Sequence, residues 1–126
     1  MVNLPPYLAE NEIRALETFL ARLREHYPDQ VQHVILFGSK VRGDFDEESD
    51  IDLLIVVQSD DWRFHQEVSH LAFEPMLEHN VVFSTHTVGQ KHYEMIQRIR
   101  TSFYRNLERE GIDLWMKEPE RRSAFS

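Results

Sequence analysis

Val34-Ile35-Leu36-Phe37-Gly38-Ser39 and, ten residues later, Asp50-Ile51-Asp52-Leu53-Leu54-Ile55-Val56-Val57 are the two stretches whose reading decides the fold. Each holds a run of apolar residues of strand length, and a charged loop containing Arg42-Gly43 joins them. On a strand, residues two apart point to the same face, so Asp50 and Asp52 project side by side from the start of the second strand. Two anionic groups at the edge of an apolar core are unfavourable unless a proton or a cation compensates them. A hard divalent cation does so through carboxylate oxygens, and Mg²⁺ typically takes one or two carboxylates together with substrate phosphates. Gly38-Ser39 offers unhindered backbone N–H groups and a hydroxyl to a phosphate. A metal pair beside a phosphate cradle points to nucleotide chemistry.

Working outward, residues 9–26 carry Ile13, Leu16, Phe19, Leu20, Leu23 and Tyr27 at three- and four-residue steps, which predicts an amphipathic helix ended by Pro28-Asp29. Residues 31–37 form the first strand, with Val34 to Phe37 central and covered on both faces. A short helix starts near Lys40 with Ser39 as its cap, and Gly43 ends or bends it. The second strand is 51–57. Residues 60–79 open with the capping sequence Ser59-Asp60-Asp61 and read as one helix kinked or interrupted by Pro75. Residues 81–88 are rich in β-branched residues and read as a third strand, broken by Gly89. A helix from about 90 turns Tyr93, Ile96 and Ile99 inward. A second start at Thr101-Ser102 leads to Gly111 as the C′ residue, a position that commonly turns left-handed. Ile112 to Trp115 adds a short edge strand, and the polar segment 117–126 is a loose tail. The fold class is therefore α/β (α+β), a small mixed sheet of three to four strands flanked by helices, in one domain spanning 1–126.

Composition excludes several function classes. A chain of 126 residues with 41% hydrophobic and 29% charged residues has the balance of a soluble globular domain. No apolar run approaches the roughly 18–20 residues that span a bilayer, and the N-terminus lacks the pattern of a signal peptide. The absence of cysteine removes disulfides and thiolate chemistry, so a cytoplasmic location and no membrane contact are expected. A net charge of −8 argues against direct nucleic-acid binding and favours a basic protein partner. Asp44, Asp46, Glu47 and Glu48 read as a solvated loop.

Phe37-Gly38-Ser39-x-x-Arg42-Gly43 followed by Ser49-Asp50-Ile51-Asp52-Leu53 resembles the Gly-Ser…Asp-x-Asp signature of the DNA polymerase β-type nucleotidyltransferase superfamily. The short chain is similar to its minimal members, the MNT proteins, which are commonly paired as antitoxins with a HEPN ribonuclease toxin. The motif covers about twenty residues, and the element order fits nearly the whole chain. The resemblance implies that Asp50 and Asp52 are catalytic and bind Mg²⁺, that Gly38 and Ser39 hold the triphosphate of ATP, and that AMP is transferred to a hydroxyl of the HEPN partner. Lys40 and Arg42 stand beside the serine and can neutralise phosphate charge, although Arg42 can equally pair with nearby acids. Asp50 or Asp52 can instead cap loop N–H groups.

One departure matters. Active members usually add a third carboxylate on the next strand, and Val81 to Val88 contains neither Asp nor Glu. Ser84 or His86 stands at the matching position. Serine is a weak Mg²⁺ ligand, and histidine suits softer metals. Glu74 and Glu78 on the preceding helix can reach toward the site only if that helix turns them inward. Without a third carboxylate, general-base assistance worth about 10²–10⁴-fold is at stake. The alternative is a weak or inactive nucleotidyltransferase-fold antitoxin that neutralises its toxin by binding. The seven histidines show no zinc spacing. The aromatic residues Tyr93, Phe103 and Tyr104, with Ile96 and Leu107, read as core, whereas Trp115 and Phe125 read as exposed anchors for a partner or for oligomerisation.

Overall fold

A computed structural model of the chain describes residues 6–43 and 50–115, without the side chain of Ser39. Its elements are α1 (Glu10–His26), β1 (Val31–Phe37), α2 (Ser39–Arg42), β2 (Ile51–Val57), α3 (Trp62–His70), α4 (Phe73–His79), β3 (Phe83–Gly89), α5 (Gln90–Ile99), α6 (Ser102–Glu110) and β4 (Ile112–Asp113). The four strands form one mixed sheet in the order β3-β2-β1-β4. β1 runs antiparallel to both β2 and β4, while β3 runs parallel to β2. The two apolar runs thus take the central positions that their composition demands.

Alternation along the strands divides the core between the two faces. Val34, Leu36, Leu53 and Ile55 join Leu16, Phe19 and Leu23 of α1, together with Val68 and Ala72, on one side. Ile35, Leu54 and Val56 face Tyr93 of α5 and Leu107 of α6 on the other. Asp52 has the parity of Leu54 and Val56, so it emerges on the face of α5 and α6. Among the described residues, no helix is long and apolar enough to cross a membrane.

Five expectations are corrected. The stretch 60–79 is two helices, broken at Leu71-Ala72, so that Pro75 falls in the first turn of α4, where a backbone N–H is not required. Asp61 caps α3 by accepting from the Arg63 N–H at 3.0 Å. Gly111 is extended (φ −70°, ψ 145°) rather than left-handed. Glycine is needed there for space, because a Cβ would lie 2.6 Å from the Leu107 carbonyl oxygen and 2.8 Å from Ile35 Cγ2. Ile99 is exposed, since α5 ends in a left-handed Arg100 (φ 51°) that turns the chain toward α6. Thr101 then caps α6 through the Tyr104 N–H.

The fourth correction is Trp115, which is buried. Pairing of β4 with β1, continued by the Leu114 N–H to the Val34 carbonyl at 2.7 Å, draws the following residues onto the α1 side. Arg24 covers the indole at 5.0 Å from its centroid. Phe103 also departs from the core reading: 38% of it remains exposed. The acidic loop Asp44 to Glu48, the tail 117–126 and Phe125 lie outside the described residues.

Candidate active site

The end of β1 and the beginning of β2 meet because the strands are antiparallel, with Phe37 directly opposite Asp52. The chain then turns sharply at Gly38, whose φ of +89° is readily available only to glycine. A Cβ at that position would lie 2.3 Å from Asp52 Oδ2. The glycine is therefore a steric requirement of the aspartate: the carboxylate rests against its Cα. The Gly38 carbonyl accepts from the Val41 and Arg42 N–H groups and starts α2. This local geometry brings the Gly-Ser turn and the Asp-x-Asp pair into contact.

Asp50 is exposed and Asp52 is half-buried. Burial pushes the Asp52 carboxyl above the usual carboxylate range, and the neighbouring Asp50 adds to the push, while His86 and Arg42 draw it back down. Two carboxylates two residues apart, one exposed and one half-buried, form a donor set suited to a hard divalent cation. The residues present thus fit a Mg²⁺ ion held by Asp50 and Asp52.

The third-strand position is now defined. Ser84 pairs with Asp52 across the parallel β2–β3 ladder, and His86 pairs with Leu54 two residues further along. Both share the sheet face of Asp52. Among the described residues, no group of three His, Cys, Asp or Glu side chains is arranged to hold a metal. Glu74 is bonded to Arg22 of α1, and Glu78 lies beside His79, so neither is committed to the site.

Two acids that the sequence offers no reason to select organise the turn from outside. Glu110, at the end of α6, accepts from the Gly38 N–H at 3.1 Å and from the Arg42 guanidinium at 3.0 Å, both through Oε2. Gly38 therefore contributes clearance to the site, with its own N–H engaged by α6. Arg42 is close enough to Asp52 to act on its charge and remains about half exposed on its side chain, at 47%. Glu12, at the start of α1, pairs with Lys40 at 2.8 Å, with side chains only 12% and 4% exposed respectively. Lys40, which its position beside the serine marks as a phosphate cation, is placed inward and fastens α2 to α1. Two other histidines serve local contacts: His33 with Asp113 at 2.7 Å, and His65 with the Ser59 carbonyl at 2.8 Å.

The arrangement can bind a cation at two carboxylates beside a tight glycine turn with an arginine nearby. Comparison with known proteins yields a consistent picture. Residues 16–119 match the family described as "Nucleotidyltransferase domain". The chain is similar to "Putative protein adenylyltransferase MJ0604" of Methanocaldococcus jannaschii, with 36% identity over 105 residues, covering 83% of this chain and 99% of that protein. It is also similar to "Putative protein adenylyltransferase MJ0141" of the same organism, with 31% identity over 103 residues, covering 81% and 97%.

Proposed function

We propose that this chain, which belongs to the nucleotidyltransferase domain family, transfers AMP from Mg-ATP to a hydroxyl of a protein partner. The observation that carries this reading is Asp52 packed against Gly38 with Asp50 beside it, a carboxylate pair whose charge calls for a cation. The names of the two relatives, protein adenylyltransferases, support the transferred group and the protein nature of the acceptor. The resemblance to MNT proteins supplies a HEPN toxin as the acceptor and silencing of that toxin as the outcome.

In this reading Asp50 and Asp52 hold Mg²⁺, whose chemistry there is to offset triphosphate charge and make the α-phosphorus more electrophilic. Gly38 leaves room for the Asp52 carboxylate against the strand ends, and Arg42 adds positive charge for the triphosphate beside it. The acceptor oxygen bonds to the α-phosphorus, the bond to the β-phosphate bridge breaks, pyrophosphate leaves, and the hydroxyl proton is released.

A specific observation favours a second reading. With Ser84 opposite Asp52 and no three-ligand group among the described residues, turnover is expected to be slow. The domain then neutralises its toxin chiefly by binding it. Incubating wild type and an Asp50→Asn/Asp52→Asn variant with α-labelled ATP and a HEPN toxin separates the two. Label on the toxin that is lost with the variant supports transfer. Full neutralisation by the variant, with no label, supports binding alone.

A further inference from the structure

The face of the sheet that carries Asp52 does not end at the carboxylate. Phe37 lies directly across the ladder from Asp52, and its ring makes an edge-to-face contact with Phe103 of α6 (centroids 5.4 Å apart, planes at 85°). On the other side the His86 ring stands 6.2 Å from Phe37, tilted by 43°. His86 follows Ser84 by two residues on the same face, so it is displaced along β3 by roughly 7 Å from the register position of Asp52. The three rings form a continuous aromatic shelf that starts at the carboxylate and runs away from it.

Phe37 packs against the core beneath it, but the two outer rings of the shelf are not built as a core. The Phe19 ring, on the opposite face, is fully buried, whereas Phe103 is 38% exposed and His86 is exposed. Leaving aromatic rings open beside a charged site forgoes apolar burial unless a ligand covers them. A flat partner satisfies them best, since aromatic faces and edges attract planar π-systems. His86 adds a ring nitrogen capable of meeting a polar edge.

We infer that Phe37, Phe103 and His86 form the subsite for the nucleobase of the bound nucleoside triphosphate. The inference rests on the proposed nucleotidyl transfer, which puts the triphosphate at Asp50 and Asp52. A nucleoside triphosphate carries its base one ribose beyond the α-phosphate, which matches a shelf that begins next to the metal-binding pair. Stacking holds the base by its face, and His86 reads one edge of it.

The test compares binding of Mg-ATP with binding of inorganic tripolyphosphate and Mg²⁺, which offers the phosphates and no base. Calorimetric titration of wild type is expected to show tighter binding of Mg-ATP. Phe103→Ala is expected to weaken Mg-ATP by about 10-fold, the usual scale of one aromatic–base stack, and to leave tripolyphosphate within about twofold. Phe103→Trp is expected to restore the preference. Phe103→Leu keeps an apolar filler without an aromatic face, so it supplies the comparison should the alanine variant melt early. Equal losses for both ligands, or no loss for Mg-ATP in a folded variant, would overturn the subsite while leaving the phosphate site intact. Failure of wild type to bind either ligand would remove the phosphate site itself, and the subsite with it.

Discussion

Lys40 provides the most decisive perturbation, because its neighbours in sequence and its neighbours in space point to different roles. Its ammonium is 2.8 Å from Glu12, and the two side chains are almost closed to solvent. Glu12 also accepts from the Ala9 N–H at 2.8 Å, so the same carboxylate caps α1 and anchors α2. Lys40→Met keeps the apolar stem and strands the carboxylate in a dry pocket, which is expected to cost about 3–5 kcal/mol. At roughly 4 °C per kcal/mol for a chain of this size, the melting temperature falls by about 12 °C or more. Lys40→Met/Glu12→Met removes both charges and is expected to recover most of the loss, short by about 1 kcal/mol for the forfeited Ala9 cap. Urea unfolding of both single variants and the double variant gives the coupling energy directly. Mg-ATP should still raise the melting temperature of the double variant. A single-variant loss below about 1 kcal/mol, or a folded double variant indifferent to Mg-ATP, would refute the reasoning and return Lys40 to the phosphates.

Glu110→Ala leaves the Gly38 N–H and the Arg42 guanidinium without this acceptor and is expected to cost about 2 kcal/mol, with Glu110→Gln retaining part of it, as read by thermal melts. Asp52→Asn is expected to stabilise the metal-free protein at neutral pH and to abolish stabilisation by Mg²⁺. The sign follows from the raised carboxyl: wild-type stability from this group is complete below the ordinary value of 3.8 and is lost as pH rises through the folded value, so the advantage of Asn appears above it and vanishes in acid. Melts across pH in chelator check this. Gly38→Ala imposes a side chain at φ +89° and drives it into Asp52, so a loss of at least about 1–2 kcal/mol and of Mg-dependent stabilisation is expected in the same assay.

The strands and α1 were legible because each is announced by a local periodicity that the tertiary structure does not override. Val34 to Phe37 and Ile51 to Val57 are too apolar for an edge, and they take the two central, paired positions of the sheet. Legibility fails where a neighbour distant in sequence decides the matter. Pro75 announces an interruption, but the break comes at Leu71-Ala72, where the end of α3 and the cap of α4 are satisfied separately. Trp115 looks exposed beside a polar tail, yet two backbone links from β4 to β1 carry it inward. Gly111 ends α6 as its residue type suggests, but its space is set by the Leu107 carbonyl and by Ile35, from a strand over seventy positions earlier.

The same division explains the site. The closeness of Gly38 and Asp52 was legible because a strand end and a strand start meet through one ladder position, and a two-residue spacing sets the parity of Asp50. Its supports were not legible, since Glu12 and Glu110 approach from the first and the last described helices and carry no motif. Their placement has a physical consequence. The short helix α2 cannot stabilise itself in four residues. One acid grips it through Lys40 from the α1 side of the sheet, and the other holds Gly38 and Arg42 from the α6 side. The turn against which Asp52 rests is therefore clamped between both layers of the fold, and loosening either clamp is expected to shift the carboxylate pair. Removal of Glu12 or Glu110 should thus weaken Mg²⁺ binding although neither touches the ion, in proportion to its cost in stability.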